Sequence, residues 1–147
     1  MVARMIRPSG TQATSWTLRC DGGSRGNPGP AAWGFVLLDP SGREVEARGE
    51  FIGATTNNVA EYGGLIAGLQ AAAIRGASPL RVVMDSELVV RQMTGQYRVK
   101  HEGLKPLHRQ AREAAARIGE VTYASVRRDH NSRADALVNE ALDRALG

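Results

Sequence analysis

Four acidic residues stand where their carboxylates could do chemistry together: Asp21, Glu61, Asp85 and Asp135. Side chains that offer only carboxylate oxygens suit Mg²⁺ or Mn²⁺, whereas zinc and copper prefer nitrogen or sulfur. Two such ions at ~3.5–4 Å can stabilise the attacking and the leaving oxygen of an in-line phosphodiester displacement. If the four carboxylates converge, their repulsion requires cations, so the pattern favours a site for hard divalent metal ions.

Each of these acids also has an ordinary structural explanation, at least in part. Asp21 ends one predicted strand and Asp85 directly follows another, at the sheet edge where sites gather in open α/β folds. A helix-capping or turn aspartate would fit either position equally well. Glu61 lies one and two helical turns before Leu65 and Leu69, on the margin of a predicted buried face. A negative charge is favourable in the first turn of a helix. This explains why Glu61 lies in that turn, but not why it lies on the margin of the buried face.

Asp135 falls in the first turn of the last predicted helix. Ser132 and Asp135 have the spacing of a capping box, in which each side chain caps backbone amides of the same turn. Capping alone would account for this acid, although capping and metal binding can coexist.

The elements that must position the acids follow from hydrophobic periodicity. Alternating apolar and polar residues predict strands over 16–21 and 44–52, and an apolar run predicts a strand over 32–38. A glycine-rich loop over 22–30 and a turn over 39–42 join them. These three strands predict an antiparallel meander.

The second half of the chain changes to helical spacing. Asn57 or Asn58 can cap the first helix, and Gly76 and Pro79 end it. The later elements are a strand over 80–84, a short helix after Ser86, a basic helix over 104–118, a strand over 121–126 and a helix over 132–146. Three strands followed by alternating helices and strands predict an α/β fold with a five-stranded mixed sheet flanked by helices.

Length and composition bound the class of protein. A chain of 147 residues fits one domain, which we expect over residues 15–147 after a polar tail over residues 1–14. No stretch approaches the roughly 18 uncharged apolar residues of a membrane helix, and the first residues lack the apolar core of a secretory signal. A single cysteine, Cys20, excludes an internal disulfide and predicts a reducing, cytoplasmic setting. A monomer is the default expectation.

The charge balance is a weak indication of a polyanionic partner. The net charge is +4, and basic residues crowd one stretch: Arg98, Lys100, Lys105, Arg109 and Arg112. A solvated surface helix explains that stretch equally well.

Four short motifs resemble type 1 ribonuclease H. They are Asp21-Gly22-Gly23-Ser24 with Gly26-Asn27-Pro28-Gly29-Pro30, then Thr55-Thr56-Asn57-Asn58-Val59-Ala60-Glu61, then Asp85-Ser86, and finally Arg133-Ala134-Asp135. They occur in the order of that family and span nearly the whole chain. The resemblance is to the compact bacterial form, because the segment 95–105 is too short and too poor in aromatic residues for the basic extension rich in Trp and Lys.

The resemblance implies an endoribonuclease that hydrolyses the RNA strand of RNA–DNA hybrids and leaves 5′-phosphate and 3′-hydroxyl ends. It implies two Mg²⁺ ions, with Mn²⁺ as a substitute, and no small-molecule cofactor. Asp21 would bridge both ions, and Asp135 would complete the site of the ion that activates water. Glu61 and Asp85 would hold the ion near the leaving oxygen.

The resemblance also implies a set of substrate-binding residues. The 2′-hydroxyl of RNA donates and accepts hydrogen bonds, as the side-chain amides of Asn27, Asn57 and Asn58 can. Thr56, at a helix start, would bind a phosphate of the DNA strand. The whole set is Gly23, Ser24, Asn27, Thr56, Asn57, Asn58, Ser86 and Glu87. Ordinary turn and cap chemistry is the alternative explanation for these residues.

Two positions depart from the family pattern. Glu87 stands where many relatives have glutamine, and a carboxylate can accept from a 2′-hydroxyl but repels phosphate. His130 lies five residues before Asp135 on a short loop, whereas relatives carry a mobile histidine on a longer one. Because imidazole exchanges protons near neutral pH, His130 is a candidate catalytic residue. A loop histidine without a role is the alternative.

Three functions remain as hypotheses. The first is the hybrid-specific nuclease, and the second is a module that binds hybrids or duplex RNA without cutting them. Intact carboxylates argue against the second, because a binder gains nothing from four acids beside phosphates. The third is a nuclease of the same broad fold that acts on DNA, such as a junction resolvase.

Overall fold

A computed structural model of the chain describes residues 14–147. The predicted tail over residues 1–14 lies outside the described residues, except for Thr14. In chain order the elements are β1 (Trp16–Ser24), β2 (Gly29–Leu38), β3 (Glu44–Thr55), α1 (Asn57–Ile74), β4 (Leu80–Met84), α2 (Glu87–Met93), α3 (Lys105–Ile118), β5 (Val121–Ser125) and α4 (Ser132–Leu146). A short 3₁₀ turn, Arg128–His130, precedes α4.

The five strands form one sheet in the order β3-β2-β1-β4-β5. β1, β2 and β3 pair antiparallel, and β4 lies parallel to both β1 and β5. The predicted mixed five-stranded sheet is therefore confirmed. The register pairs Arg19 with Val83. Two residues further along, Asp21 and Asp85 consequently reach the same edge of the sheet.

β4 lies between β1 and β5, in the middle of the parallel half of the sheet. Leu80, Val82, Val83 and Met84 are all buried, and Arg81 is exposed. A near-continuous apolar run is typical of a strand covered on both faces.

α4 packs against β2 and β3. A Cβ on Gly34 would lie 2.8 Å from the Cβ of Leu137, so the absence of a side chain lets the helix lie close to the sheet. Four residues of α4 are buried (Ala134, Val138, Ala141 and Leu142), whereas Ala145 in the last turn is exposed. No helix among residues 14–147 has the length and apolar character to cross a membrane.

The predicted glycine-rich loop is shorter in the structure. Antiparallel pairing of β1 with β2 continues to Ser24 and Ala31, so only four residues, 25–28, connect the strands. Gly22 and Gly23 therefore belong to β1. Glycine inside a strand can mark a close approach of another backbone, and Gly22 marks the approach of α1.

Both predicted helix caps were wrong in detail. Thr56, and neither Asn57 nor Asn58, caps α1, and its hydroxyl accepts from the backbone N–H of Val59 at 3.3 Å. Asn57 lies inside the helix, where its side chain bonds to the β1–β2 hairpin.

The predicted capping box of α4 does not form either. Asn131 is the N-cap residue, and Ser132 is the first residue of the helix. The Asn131 side chain does not cap the helix but donates from Nδ2 to the carbonyl oxygen of Cys20 at 3.0 Å. The Asn131 side chain thus makes a tertiary hydrogen bond to β1 instead of a local cap on α4.

Candidate active site

Three of the four predicted acids converge at the edge of the sheet. Carboxylate oxygens of Asp21, Glu61 and Asp85 all lie within 4.8 Å of one another. Within residues 14–147, Glu61 Oε1 and Asp85 Oδ1 are buried without a hydrogen-bond partner. Buried polar atoms are almost always paired, so unpaired acceptors within a group of acids indicate a site for a cation.

Close packing of α1 on β1 brings Glu61 to this group. A Cβ on Gly22 would lie 2.2 Å from the backbone carbon of Ala60, and one on Gly64 would lie 2.6 Å from the carbonyl oxygen of Asp21. Neither distance is possible for a residue with a side chain. The two glycines therefore set the separation between Asp21 and the turn that carries Glu61.

The convergence shifts the acidity of two groups. Burial, reinforced by the charge of Asp85, raises the pKa of Asp21 to about 8. Burial, followed by the charges of Asp21 and Asp85, raises the pKa of Glu61 to about 9. The backbone N–H of Gly22 donates to Asp21 Oδ1 at 2.8 Å and opposes the shift. A bound divalent cation would favour the ionised forms.

We expect the metal-free protein to lose stability as the pH rises. An acid whose pKa is raised on folding stabilises the fold while it is protonated. This contribution is full below about pH 4, where such groups titrate in an unfolded chain. It is lost as the pH rises through about 8 for Asp21 and about 9 for Glu61. Thermal unfolding in EDTA at pH 6 and pH 9 measures the loss.

Adding Mn²⁺ at pH 9 should restore most of the lost stability, and Asp21→Asn should make the pH dependence shallower. An unfolding midpoint that responds neither to pH nor to the cation would contradict a buried cluster of acids.

Asp135 lies at the rim of the site and outside the group of three. It lines the same cavity of about 430 Å³ as Asp21 and Glu61, and its charge contributes to the raised pKa of Asp21. Asn139 Nδ2 donates to Asp135 Oδ2 at 3.3 Å. Three of the four predicted acids therefore lie close together, and the fourth, Asp135, lies on α4 at the rim of the cavity.

Arg128 also belongs to the site, and no sequence motif predicted it. Its Nε lies 3.5 Å from Asp85 Oδ2, and the side chain lines the cavity while remaining 82% exposed. It stands seven residues before Asp135, in the segment that also holds His130. The sequence signal for it is a cation shortly before the last aspartate.

The structure does not place His130 among the residues that line this cavity. His130 ends the 3₁₀ turn and is exposed, and its carbonyl oxygen accepts from Nη1 of Arg19 at 2.8 Å. Its catalytic role stays a prediction.

The predicted substrate residues of the hairpin and α1 form one hydrogen-bonded group. Asn57 Oδ1 accepts from the backbone N–H of Ser24 at 2.8 Å and from its hydroxyl at 3.0 Å. Asn27 Oδ1 accepts from the backbone N–H of Asn57 at 3.0 Å. In the described part of the chain, both asparagines keep their Nδ2 groups free to donate. Gly23 lines the cavity beside them, and Asn58 lies half-buried in the same helical turn.

The remaining predicted residues lie at the start of α2. Ser86 caps the helix, and its hydroxyl accepts from the backbone N–H of Val89 at 3.3 Å. Glu87 Oε2 accepts from Nε and Nη2 of Arg91 at 3.1 and 2.8 Å. Arg91 partly neutralises Glu87, which weakens the repulsion of phosphate that the sequence predicts at this position.

Comparison with known proteins identifies relatives over most of the chain. The family model described as "Reverse transcriptase-like" matches residues 19–141. The bifunctional protein Rv2228c of Mycobacterium tuberculosis is 48% identical over 129 residues, which are 87% of this chain and 35% of that protein. Ribonuclease HI of Halobacterium salinarum is 46% identical over 125 residues, 85% of this chain and 63% of that protein. The chain thus spans about a third of the first relative and less than two thirds of the second.

Other relatives match along nearly their full length. Ribonuclease H of Hydrogenovibrio crunogenus is 35% identical over 141 residues, 86% of this chain and 94% of that protein. Among solved structures, RNase H1 of Halobacterium salinarum has a TM-score of 0.85 at 44% identity, covering 88% of this chain and 98% of its own. LC11-RNase H1, solved in complex with an RNA/DNA hybrid, has a TM-score of 0.86 at 41% identity, covering 90% and 100%.

Proposed function

The chain belongs to the type 1 ribonuclease H family, and on this premise we propose that it is an endoribonuclease that hydrolyses the RNA strand of RNA–DNA hybrids. The observation that carries the proposal is the convergence of Asp21, Glu61 and Asp85 within 4.8 Å at the end of the parallel strands. A relative that is 41% identical has been solved with an RNA/DNA hybrid, which supports the choice of substrate.

The residues present fit a hard divalent cation. All the donors are carboxylate oxygens, and two of them are buried and unpaired in the described chain. We propose two Mg²⁺ ions, with Asp21 as a ligand of both, Asp135 as a ligand of one, and Glu61 and Asp85 as ligands of the other. Bound there, the ions would activate water and stabilise the negative charge that develops on the phosphate oxygens.

The protein's own residues would orient the substrate. The free Nδ2 groups of Asn27 and Asn57 are donors beside the cavity, suited to the 2′-hydroxyls of the RNA strand. Thr56, Asn58, Ser86 and Glu87 extend the proposed contact surface along the starts of α1 and α2. Cleavage at the 3′ oxygen would leave a 3′-hydroxyl and a 5′-phosphate. A cation on the rim, Arg128, would help to hold the phosphate against the acids.

Incubating a strand-labelled hybrid with Mg²⁺ or Mn²⁺ tests the proposal. We expect cuts in the RNA strand alone, none in EDTA, and 5′-phosphate ends that a phosphatase removes. Binding without cleavage would leave a module that recognises hybrids or duplex RNA. Equal digestion of duplex DNA would indicate a DNA nuclease of the same fold.

Replacing Arg128 with alanine should lower kcat/KM at least about tenfold, since losing a charge-assisted hydrogen bond costs about 1.5–3 kcal/mol and each factor of ten corresponds to about 1.4 kcal/mol. Arg127→Ala is the matched control, because that neighbour is 86% exposed and pairs with Asp129 at 3.7 Å. The sequence predicts a partial loss for His130→Ala, and we expect a smaller one than for Arg128→Ala. Equal activities of the two arginine variants would remove Arg128 from the site.

Three attributes of the proposal come from the sequence alone. We propose that residues 15–147 form one ribonuclease H domain, that the protein acts as a monomer, and that it works in the cytoplasm. Sedimentation equilibrium tests the second attribute, and fractionation of the source cells tests the third.

A further inference from the structure

Arg25 places a second cation beside the carboxylates, and the family motifs give it no role. It lies in the short connection between β1 and β2 and lines the same cavity as Asp21 and Asp135. Its side chain is 42% exposed. Its backbone N–H donates to the carbonyl oxygen of Pro30 at 2.8 Å, which fixes the position from which the side chain extends.

α4 holds the guanidinium at the cavity. Asp135, Asn139 and Asp143 follow one another at intervals of four residues and therefore share one face of the helix. Arg25 Nη2 donates to Asp143 Oδ1 at 2.8 Å and to Asn139 Oδ1 at 3.3 Å. Asn139 in turn donates to Asp135 Oδ2 at 3.3 Å. Hydrogen bonds thus run without a break from the rim acid to the cation.

The partner of Arg25 is one that a phosphate could replace. Asp143 is 68% exposed, and exposed ion pairs contribute little to stability because water competes for both charges. A phosphate offers the guanidinium two acceptor oxygens for parallel charge-assisted bonds, whereas Asp143 accepts only one. Exchanging the carboxylate for a phosphate therefore costs the fold little.

The acids that line the cavity repel an approaching phosphate backbone, and a cation that can bind phosphate offsets this repulsion. Asp21, Glu61 and Asp135 all line the cavity, and a polyanion has to approach them. Arg128 stands on the side of Asp85, whereas Arg25 is held by α4. A strand that crosses the cavity would meet a cation on each side of the acids.

We propose that Arg25 binds a backbone phosphate of the RNA strand next to the scissile bond, with Asn139 and Asp143 holding the guanidinium in place in the free protein. This inference rests on the proposed function and adds to it a contact on the RNA strand. Asp143 is then a competitor of the phosphate.

The test measures KM and kcat on a labelled hybrid for four variants: Arg25→Ala, Arg25→Lys, Asp143→Asn and Arg117→Ala. Arg25→Ala should raise KM about tenfold and change kcat less, and Arg25→Lys should recover part of the loss. Asp143→Asn should leave KM unchanged or lower it, because it removes the competing anion. Arg117→Ala, which removes an exposed cation from the last turn of α3, should match the wild type.

Salt dependence supplies a readout that a purely structural role would not change. Binding of the hybrid to the Asp21→Asn protein, measured against salt concentration, should show a slope that is smaller by about one when Arg25 is also alanine. The same addition of Arg117→Ala should leave the slope unchanged.

Two results would overturn the inference. If Arg25→Ala and Asp143→Asn raise KM by the same factor, the pair only braces the hairpin against α4. If Arg25→Ala behaves as Arg117→Ala does, no phosphate is bound there. A wild-type protein that leaves hybrids uncut fails the proposed function itself, whatever these variants do.

Discussion

Asp21→Asn should lower kcat on a hybrid by about a thousandfold or more while the protein stays folded and still binds the hybrid. The metal ligands are expected to supply several kcal/mol of transition-state stabilisation, and about 1.4 kcal/mol corresponds to a factor of ten. Asparagine keeps the shape of the side chain and the acceptor that faces the N–H of Gly22, so β1 should not change. Steady-state kinetics at saturating Mg²⁺ measure the effect.

The same variant should bind hybrids as tightly as the wild type or more tightly, and should be more stable in EDTA at pH 9. Asp21 is 5% exposed beside two other acids, so an uncharged amide removes both repulsion and the cost of a buried charge. Asp39→Asn, in the exposed β2–β3 turn, is the matched control and should keep full activity. Near-normal turnover by Asp21→Asn would exclude Asp21 from the mechanism.

Gly22→Ala should lower the free energy of unfolding by about 3 kcal/mol and activity by at least about a hundredfold. The new Cβ would lie 2.2 Å from the carbon and oxygen of Ala60 and 2.4 Å from the backbone nitrogen of Glu61. All three are main-chain atoms, so the helix has to move away from β1, and overpacking of this kind costs about 1–3 kcal/mol or more. Urea unfolding and steady-state kinetics below the unfolding midpoint measure the two losses.

The neighbouring glycine provides the control for stability. A Cβ on Gly23 would meet its nearest atom, Asn57 Oδ1, at 3.9 Å, which is an ordinary contact. Gly23→Ala should therefore cost far less stability than Gly22→Ala. Similar losses in the two variants would mean that general strand propensity, and not the approach of α1, explains the glycine.

Periodicity sufficed to predict the elements and the mixed five-stranded sheet, but not the order of its strands. The alternation along β1 and β3 reflects burial on one face, and the apolar runs of β2 and β4 reflect burial on both faces, which a sequence records directly. The placement of Asp21 and Asp85 followed from those strands, because carboxyl ends of parallel neighbours meet at one edge.

What the sequence could not supply depends on contacts between distant residues. In the sequence Gly22 resembles a turn glycine, and only the structure shows that α1 packs against it. Asn57 likewise resembles a helix cap, whereas in the structure its side chain accepts hydrogen bonds from Ser24. Arg25 lies in a glycine-rich segment and Arg128 follows another arginine, and only the folded chain brings both to one cavity. The distance of Asp135 from the other acids likewise depends on how α4 packs.

The hydrogen bond between Asn131 and the carbonyl of Cys20 joins residues that are 111 positions apart. Cys20 precedes Asp21 directly, and Asn131 is the N-cap of the helix that carries Asp135. The side-chain amide of Asn131 therefore fixes the start of α4, which carries Asp135, against β1, which carries Asp21, in the ligand-free protein. Preorganisation of this kind reduces the entropy lost on association, so ligands need not order α4 as they bind.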